Sequence, residues 1–142
     1  MTEERVKLLD TNEKINKVGC GFCLAKWTQV TIHLQTGRTH SCHHPTTHHV
    51  PVSELKRNPS ALHNTKFKKM KRKEMLEGKR PAECDYCWNV EDNSPQFSDR
   101  VFKSLQFSPE EMKEWYELPP EARIVPPTIE VMFDRTCNFA CS

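Results

Sequence analysis

Seven cysteines constrain this chain of 142 residues more than any other feature: Cys20, Cys23, Cys42, Cys84, Cys87, Cys137 and Cys141. Two pairs have Cys-x-x-Cys spacing, and the last two thiols stand four positions apart. In a reducing compartment, thiols so spaced hold a metal more often than a structural disulfide. Thiolate-rich sets select zinc or iron–sulfur clusters over harder cations, and composition does not choose between those two. The opening MTEERVKLLD is charged and lacks the apolar segment of a secretory signal. No run approaches the ~18 apolar residues of a membrane span. The expectation is a soluble, cytoplasmic chain with no membrane partner. Hydrophobic content of 36% and charged content of 28% are polar for a globular protein without marking disorder. A formal charge of +2 is too small to imply a nucleic-acid partner.

The pattern along the chain predicts an α+β fold. Residues 2–17 carry Val6, Leu8, Leu9 and Ile15 among charges, a helical pattern. Val30, Ile32 and Leu34 then alternate with Thr31 and His33, the period of a half-buried strand. Gly37 allows a turn after it, and Thr39 to Cys42 is expected to return as a second strand. Such a hairpin brings Cys23 and Cys42 together. The run HSCHHPTTHHVPVSE reads as loop, with short helical turns near Ser53 and Asn58–Ser60. A helix is expected from Thr65, its cap, to Glu77, with Phe67, Met70 and Met75 or Leu76 inward and Gly78 as its stop. Cys84 and Cys87 fall on a tight turn after Pro81. Ser108-Pro109-Glu110-Glu111 starts a helix that runs to about Leu118. Four prolines stiffen the linker LPPEARIVPPT, and Ile129, Val131 and Phe133 alternate as a new strand just before Cys137.

Two ligands from a hairpin and two from a turn can surround a compact site. Thirteen residues separate Cys23 from Gly37, and four separate Gly37 from Cys42. This spacing resembles the C-x(9–15)-G-x4-C opening of the twitch and SPASM domains, the auxiliary iron–sulfur domains of radical SAM enzymes. Their following Cys-x-x-Cys corresponds to Cys84 and Cys87. The helix ending in Met75-Leu76-Glu77-Gly78, the nearby Glu91, and Ser98 with Arg100 are also similar to the twitch-type pattern. The resemblance implies one auxiliary [4Fe–4S] cluster on Cys23, Cys42, Cys84 and Cys87. Two departures stand beside it. The later C-x5-C-x3-C of a full SPASM domain is missing, and the pattern precedes the barrel that it usually follows.

Cys137-Asn138-Phe139-Ala140-Cys141 resembles the first part of C-x3-C-x2-C, the radical SAM cluster loop, placed after a strand as in that family. A third cysteine is expected two positions beyond Ser142. The resemblance implies a second [4Fe–4S] cluster, incomplete here, whose open iron binds S-adenosyl-L-methionine. The parent enzyme would cleave that cofactor to a 5′-deoxyadenosyl radical and modify a substrate, a peptide or protein being one class. A flavodoxin or ferredoxin would supply electrons. The domain reading is therefore residues 1–118 as a twitch/SPASM-like domain, 119–127 as linker, and 128–142 as the first strand and cluster loop of a (β/α) barrel. This fragment alone is expected to be inactive.

Other readings compete at each motif. Cys20 and Cys23 with Cys84 and Cys87 would make a zinc-ribbon set, leaving Cys42 idle. Such a zinc module could bind nucleic acid through the basic run KFKKMKRKEM. The simpler reading of that run is a solvated helix face. His40, His43, His44, His48 and His49 crowd one loop and read first as its polar cover, with His43 the best ligand candidate among them. Trp88 and Tyr86 are expected to shield a metal centre from water, and Glu91 with Arg100 to form a structural ion pair. No catalytic acid or base is identifiable.

Overall fold

The structure is a computed structural model that describes residues 1–134 and 136. Cys137 and Cys141, expected to be cluster ligands, lie outside the described residues. The fold is α+β, with seven α-helices and a four-stranded sheet among those residues. No helix among them is long and apolar enough to cross a membrane.

Helix α1 spans Glu3–Val18. Thr2 caps it by accepting the Arg5 N–H at 3.3 Å, with Glu3 and Glu4 in the first turn where the helix dipole favours acids. Leu8, Thr11 and Ile15 face inward, one helical turn or so apart. The single turn α2, Ala25–Thr28, feeds β1, Gln29–His33. Gly37, at φ 64°, makes the reversal into β2, Arg38–His40, with Ile32 opposite Thr39.

The second strand ends earlier than its pattern suggests, so Cys42 lies in the loop just beyond it. The histidine-rich stretch also contains a strand, β3, His48–His49, which pairs with β2. After Pro51 comes α3, Val52–Arg57, one position earlier than Ser53 would place it. A 3-10 turn over Pro59–Leu62 follows, capped by Asn58.

Helix α4, Lys66–Leu76, has the expected Thr65 cap, and Gly78 just past it takes a positive φ. Its inward face differs from the apolar pattern. Met75 is fully buried, but Met70 is half exposed, and Lys68 and Arg72 take the buried positions. The Arg72 guanidinium reaches the carbonyls of Lys26 and His63 and the side chain of Asn64, so polar partners replace apolar packing.

Cys84 closes a 3-10 turn, Ala82–Cys84, and Cys87 lies one turn into α5, Asp85–Asn93. Helix α6, Asp99–Leu105, has no counterpart among the sequence expectations. Helix α7, Pro109–Tyr116, carries the full capping box of Ser108 and Glu111.

Strand β4, Thr128–Met132, pairs in parallel with β1, Val30 opposite Ile129, to give the order β3-β2-β1-β4. The proline segment therefore leads back to the same sheet as the hairpin, across the division drawn from sequence at 119–127. Both faces of β4 are exposed.

The core lies where α1, α2, α5 and α6 meet: Ile15, Phe22, Leu24, Trp27, Trp88 and Val101. Close backbone approach brings the two halves of the site together. A Cβ at Gly21 would stand 1.9 Å from the Lys79 carbonyl oxygen, so only glycine lets the segment before Cys23 run against the end of α4.

Candidate metal centre

Three pieces of this scaffold position Cys23, Cys42, Cys84 and Cys87. Cys23 sits between Phe22 and Leu24, both fully buried, which pin the chain on either side of it. Cys42 hangs from the end of β2. Cys84 and Cys87 bracket the entry to α5, fixed by the Trp88 indole N–H, which donates to the Pro81 carbonyl at 2.8 Å. All four sulfur-bearing side chains line one cavity, together with His44 and Trp88. Its volume is about 20 Å³, and about 10–15 Å³ on that measure holds one water.

Cys20 goes elsewhere. It is exposed, its thiol donates to the Gly78 carbonyl at 2.7 Å, and it lines a separate polar cleft with Asn16, Arg80 and Arg100. The zinc-ribbon set of Cys20, Cys23, Cys84 and Cys87 is thus not assembled, whereas Cys42 joins the other three.

Spacing bears on the metal. Four sulfurs on one tetrahedral zinc, each about 2.3 Å from it, stand about 3.8 Å apart and close the centre to a water-sized sphere. Among the described residues, the one group of three or more potential ligands whose atoms all lie within 4.8 Å of each other is Cys42, His43 and His44. The four cysteines do not form such a close group. A four-iron cluster binds each thiolate to a different iron, and four thiolates are equally the ligand set of a structural zinc. The residues present supply the four sulfur ligands that such a cluster needs.

Burial makes these thiols costly to ionise. Burial pushes the Cys23 thiol up to about 12 and Cys84 up to about 11, with neighbouring cysteines adding to the rise. Burial also raises Cys87. Three such thiols cannot all ionise unless a cation replaces their protons. Groups that favour the ionised form are nonetheless in place. The backbone N–H of Ala25 does so for Cys23, and the backbone N–H of Arg100 for Cys87. Beside them lies the buried ion pair of Lys26 and Glu83. Burial opposes the Lys26 charge, but Cys84, Glu83 and Cys23 together hold it above the ordinary lysine range. Lys26 and Glu83 belong to the site although no motif marks them beyond Glu83 adjoining Cys84.

A polar network locks the far wall. The Arg100 guanidinium donates to Glu91 at 2.5 and 3.0 Å, to the Phe22 carbonyl at 2.9 Å and to Asn16 at 2.7 Å. It also lies over the Trp88 ring. Ser98 donates to the same Glu91 oxygen as Arg100 Nε. The expected Glu91–Arg100 pair is present, and it ties α5 and α6 to the segment before Cys23. Trp88 is buried at the cavity, as a shield requires, while Tyr86 is half exposed and stacks on His44 with ring centroids 3.7 Å apart.

The remaining histidines disperse. His40 pairs with His33 at 2.9 Å, and His48 with Thr65 at 3.2 Å. His43, the nearest in sequence to Cys42, has a side chain 62% exposed, against 17% for His44.

No family model, curated protein or solved structure matches this chain.

Proposed function

We propose that this chain is the N-terminal part of a cytoplasmic radical SAM enzyme, in which Cys23, Cys42, Cys84 and Cys87 hold an auxiliary [4Fe–4S] cluster in a twitch/SPASM-like domain. The observation that carries this reading is the choice of fourth thiol. The resemblance names Cys42 where a zinc ribbon names Cys20, and Cys42 is the one that lines the shared cavity.

When bound, such a cluster would accept or pass one electron. This chain's own residues shape that chemistry. Trp88 excludes water, the backbone N–H groups of Ala25 and Arg100 favour sulfur charge, and buried Lys26 places a cation beside Cys84. Hydrogen bonds to sulfur, local charge and exposure are the features that set a cluster's potential.

Cys137 and Cys141 would belong to the radical SAM cluster of the parent enzyme, which acts with S-adenosyl-L-methionine on a peptide or protein and draws electrons from a flavodoxin or ferredoxin. Nucleic acid is not part of this reading. Of the basic run, Lys68 and Arg72 are buried and Lys71 is paired with Glu74.

Anaerobic reconstitution followed by iron, sulfide and zinc analysis tests the proposal. The chain should retain iron and sulfide, Cys84→Ser should lose them, and Cys20→Ser should keep them. Retention of zinc alone, or loss on Cys20→Ser, would overturn the reading.

A further inference from the structure

The Cys42 side of the cavity differs from the other three. Cys23, Cys84 and Cys87 are flanked by buried core residues or fixed in helical turns, whereas Cys42 lies in a loop beyond its strand. Beside it stands a second donor. His44 lines the same cavity, with a side chain only 17% exposed, and its ligand atom lies within 4.8 Å of those of Cys42 and His43.

Its ring is held from two directions. The Nε2 atom is 2.5 Å from Asp99 Oδ2, and the ring lies flat on Tyr86 at an interplanar angle of 10°. Asp99 opens α6, one residue after Ser98, so the carboxylate is anchored to the network that fixes Cys87. A histidine whose outer nitrogen donates to a carboxylate presents a neutral, basic inner nitrogen in a fixed orientation, the usual arrangement of a metal-binding histidine. His43 lacks this. It is largely exposed and stands 3.7 Å from the same carboxylate.

We infer that the fourth position of this centre has two interchangeable donors, the Cys42 sulfur and the His44 imidazole, with Asp99 orienting the latter. The inference rests on the four-cysteine cluster proposed above and deepens it. Exchange replaces a thiolate by a neutral imidazole on one iron and makes the centre less negative by one charge. Histidine ligation of that kind raises the potential of an iron–sulfur centre. Cys42 would then be the labile ligand and the other three the permanent ones.

The test uses the whole chain, reconstituted anaerobically with iron and sulfide and checked for fold by circular dichroism. Cys42→Ala should keep iron, whereas Cys84→Ala should lose it. The reduced Cys42→Ala centre should show a strongly coupled nitrogen in pulsed EPR. Both the iron and the nitrogen signal should vanish in Cys42→Ala/His44→Gln. Adding Asp99→Asn to Cys42→Ala should weaken iron retention about 10-fold or more, as losing the carboxylate behind a ligating histidine does. Asp99→Asn alone should leave the cysteine-ligated centre intact. If folded Cys42→Ala is as iron-free as Cys84→Ala, or keeps iron without His44, the inference is overturned while the cluster reading stands. A wild-type chain that takes up no iron overturns both.

Discussion

Lys68 offers a sharp test of the physical picture. It is 1% exposed, and its ammonium finds no carboxylate, only His63 Nδ1 at 3.3 Å. Burial, with Lys26 and Arg72 nearby, lowers its pKa from 10.5 to about 6. The folded chain therefore releases a proton that the unfolded chain keeps anywhere between those values. The unfolded state binds more protons in this window, so stability rises with pH by about 1.4 kcal/mol per unit. At pH 7 the penalty is on the order of 5 kcal/mol, from the distance between pH 7 and 10.5. Lys68→Met removes it but leaves His63 without a donor, at a cost of about 1–3 kcal/mol. The variant should be about 2–4 kcal/mol more stable at pH 7. At pH 10 the penalty is nearly gone, and the same variant should be less stable than the parent. Urea denaturation followed by tryptophan fluorescence at the two pH values, on proteins of equal metal content, reads the reversal. A variant that is weaker at pH 7, or whose advantage is the same at both, would show that Lys68 stays charged in the fold and that this account of α4 is wrong.

Two further substitutions probe the scaffold. Arg100→Met removes a buried guanidinium from the half-buried Glu91, which keeps only Arg80 at 3.5 Å, and should cost up to about 3–5 kcal/mol, seen as a fall in denaturation midpoint. Glu91→Gln/Arg100→Met should recover part of that loss, because the stranded charge is gone. Gly21→Ala would force a methyl group into the Lys79 carbonyl, which is backbone and cannot swing aside. A loss of about 3 kcal/mol or more is expected, with weaker iron retention since Cys23 moves with it. An unchanged melting temperature would count against the close packing described here.

Local signals in the sequence were legible where one residue type has one job. Thr65 and Ser108 cap their helices, Gly37 and Gly78 take positive φ, and Val30 with Ile32 alternates into a strand. The four cysteines that line the cavity are the set that the twitch/SPASM-like spacing named. What was hidden depends on partners distant in the chain. Met70 looked like core and Lys68 and Arg72 like surface, but a carbonyl of α2 and a carbonyl and an amide from the loop before α4 receive the Arg72 guanidinium. His43 looked like the better ligand because it adjoins Cys42. Only α6, which no periodicity announced, brings Asp99 to His44. The parallel pairing of β4 with β1 spans about a hundred residues and leaves no trace in either strand's own composition.

That pairing fixes a distance. β2 runs antiparallel to β1, so His40 lies opposite Thr31, and the chain reaches Cys42 near the start of β1. β4 runs the other way, and Met132 emerges beside His33 at the opposite end. The cysteine cavity and the exit from β4 are thus separated by roughly the length of β1, five residues at about 3.3 Å each, or some 16 Å. Five paired positions make that separation a stiff ruler. The segment between α7 and β4 can vary in length without changing the gap between Met132 and the sulfur-lined centre.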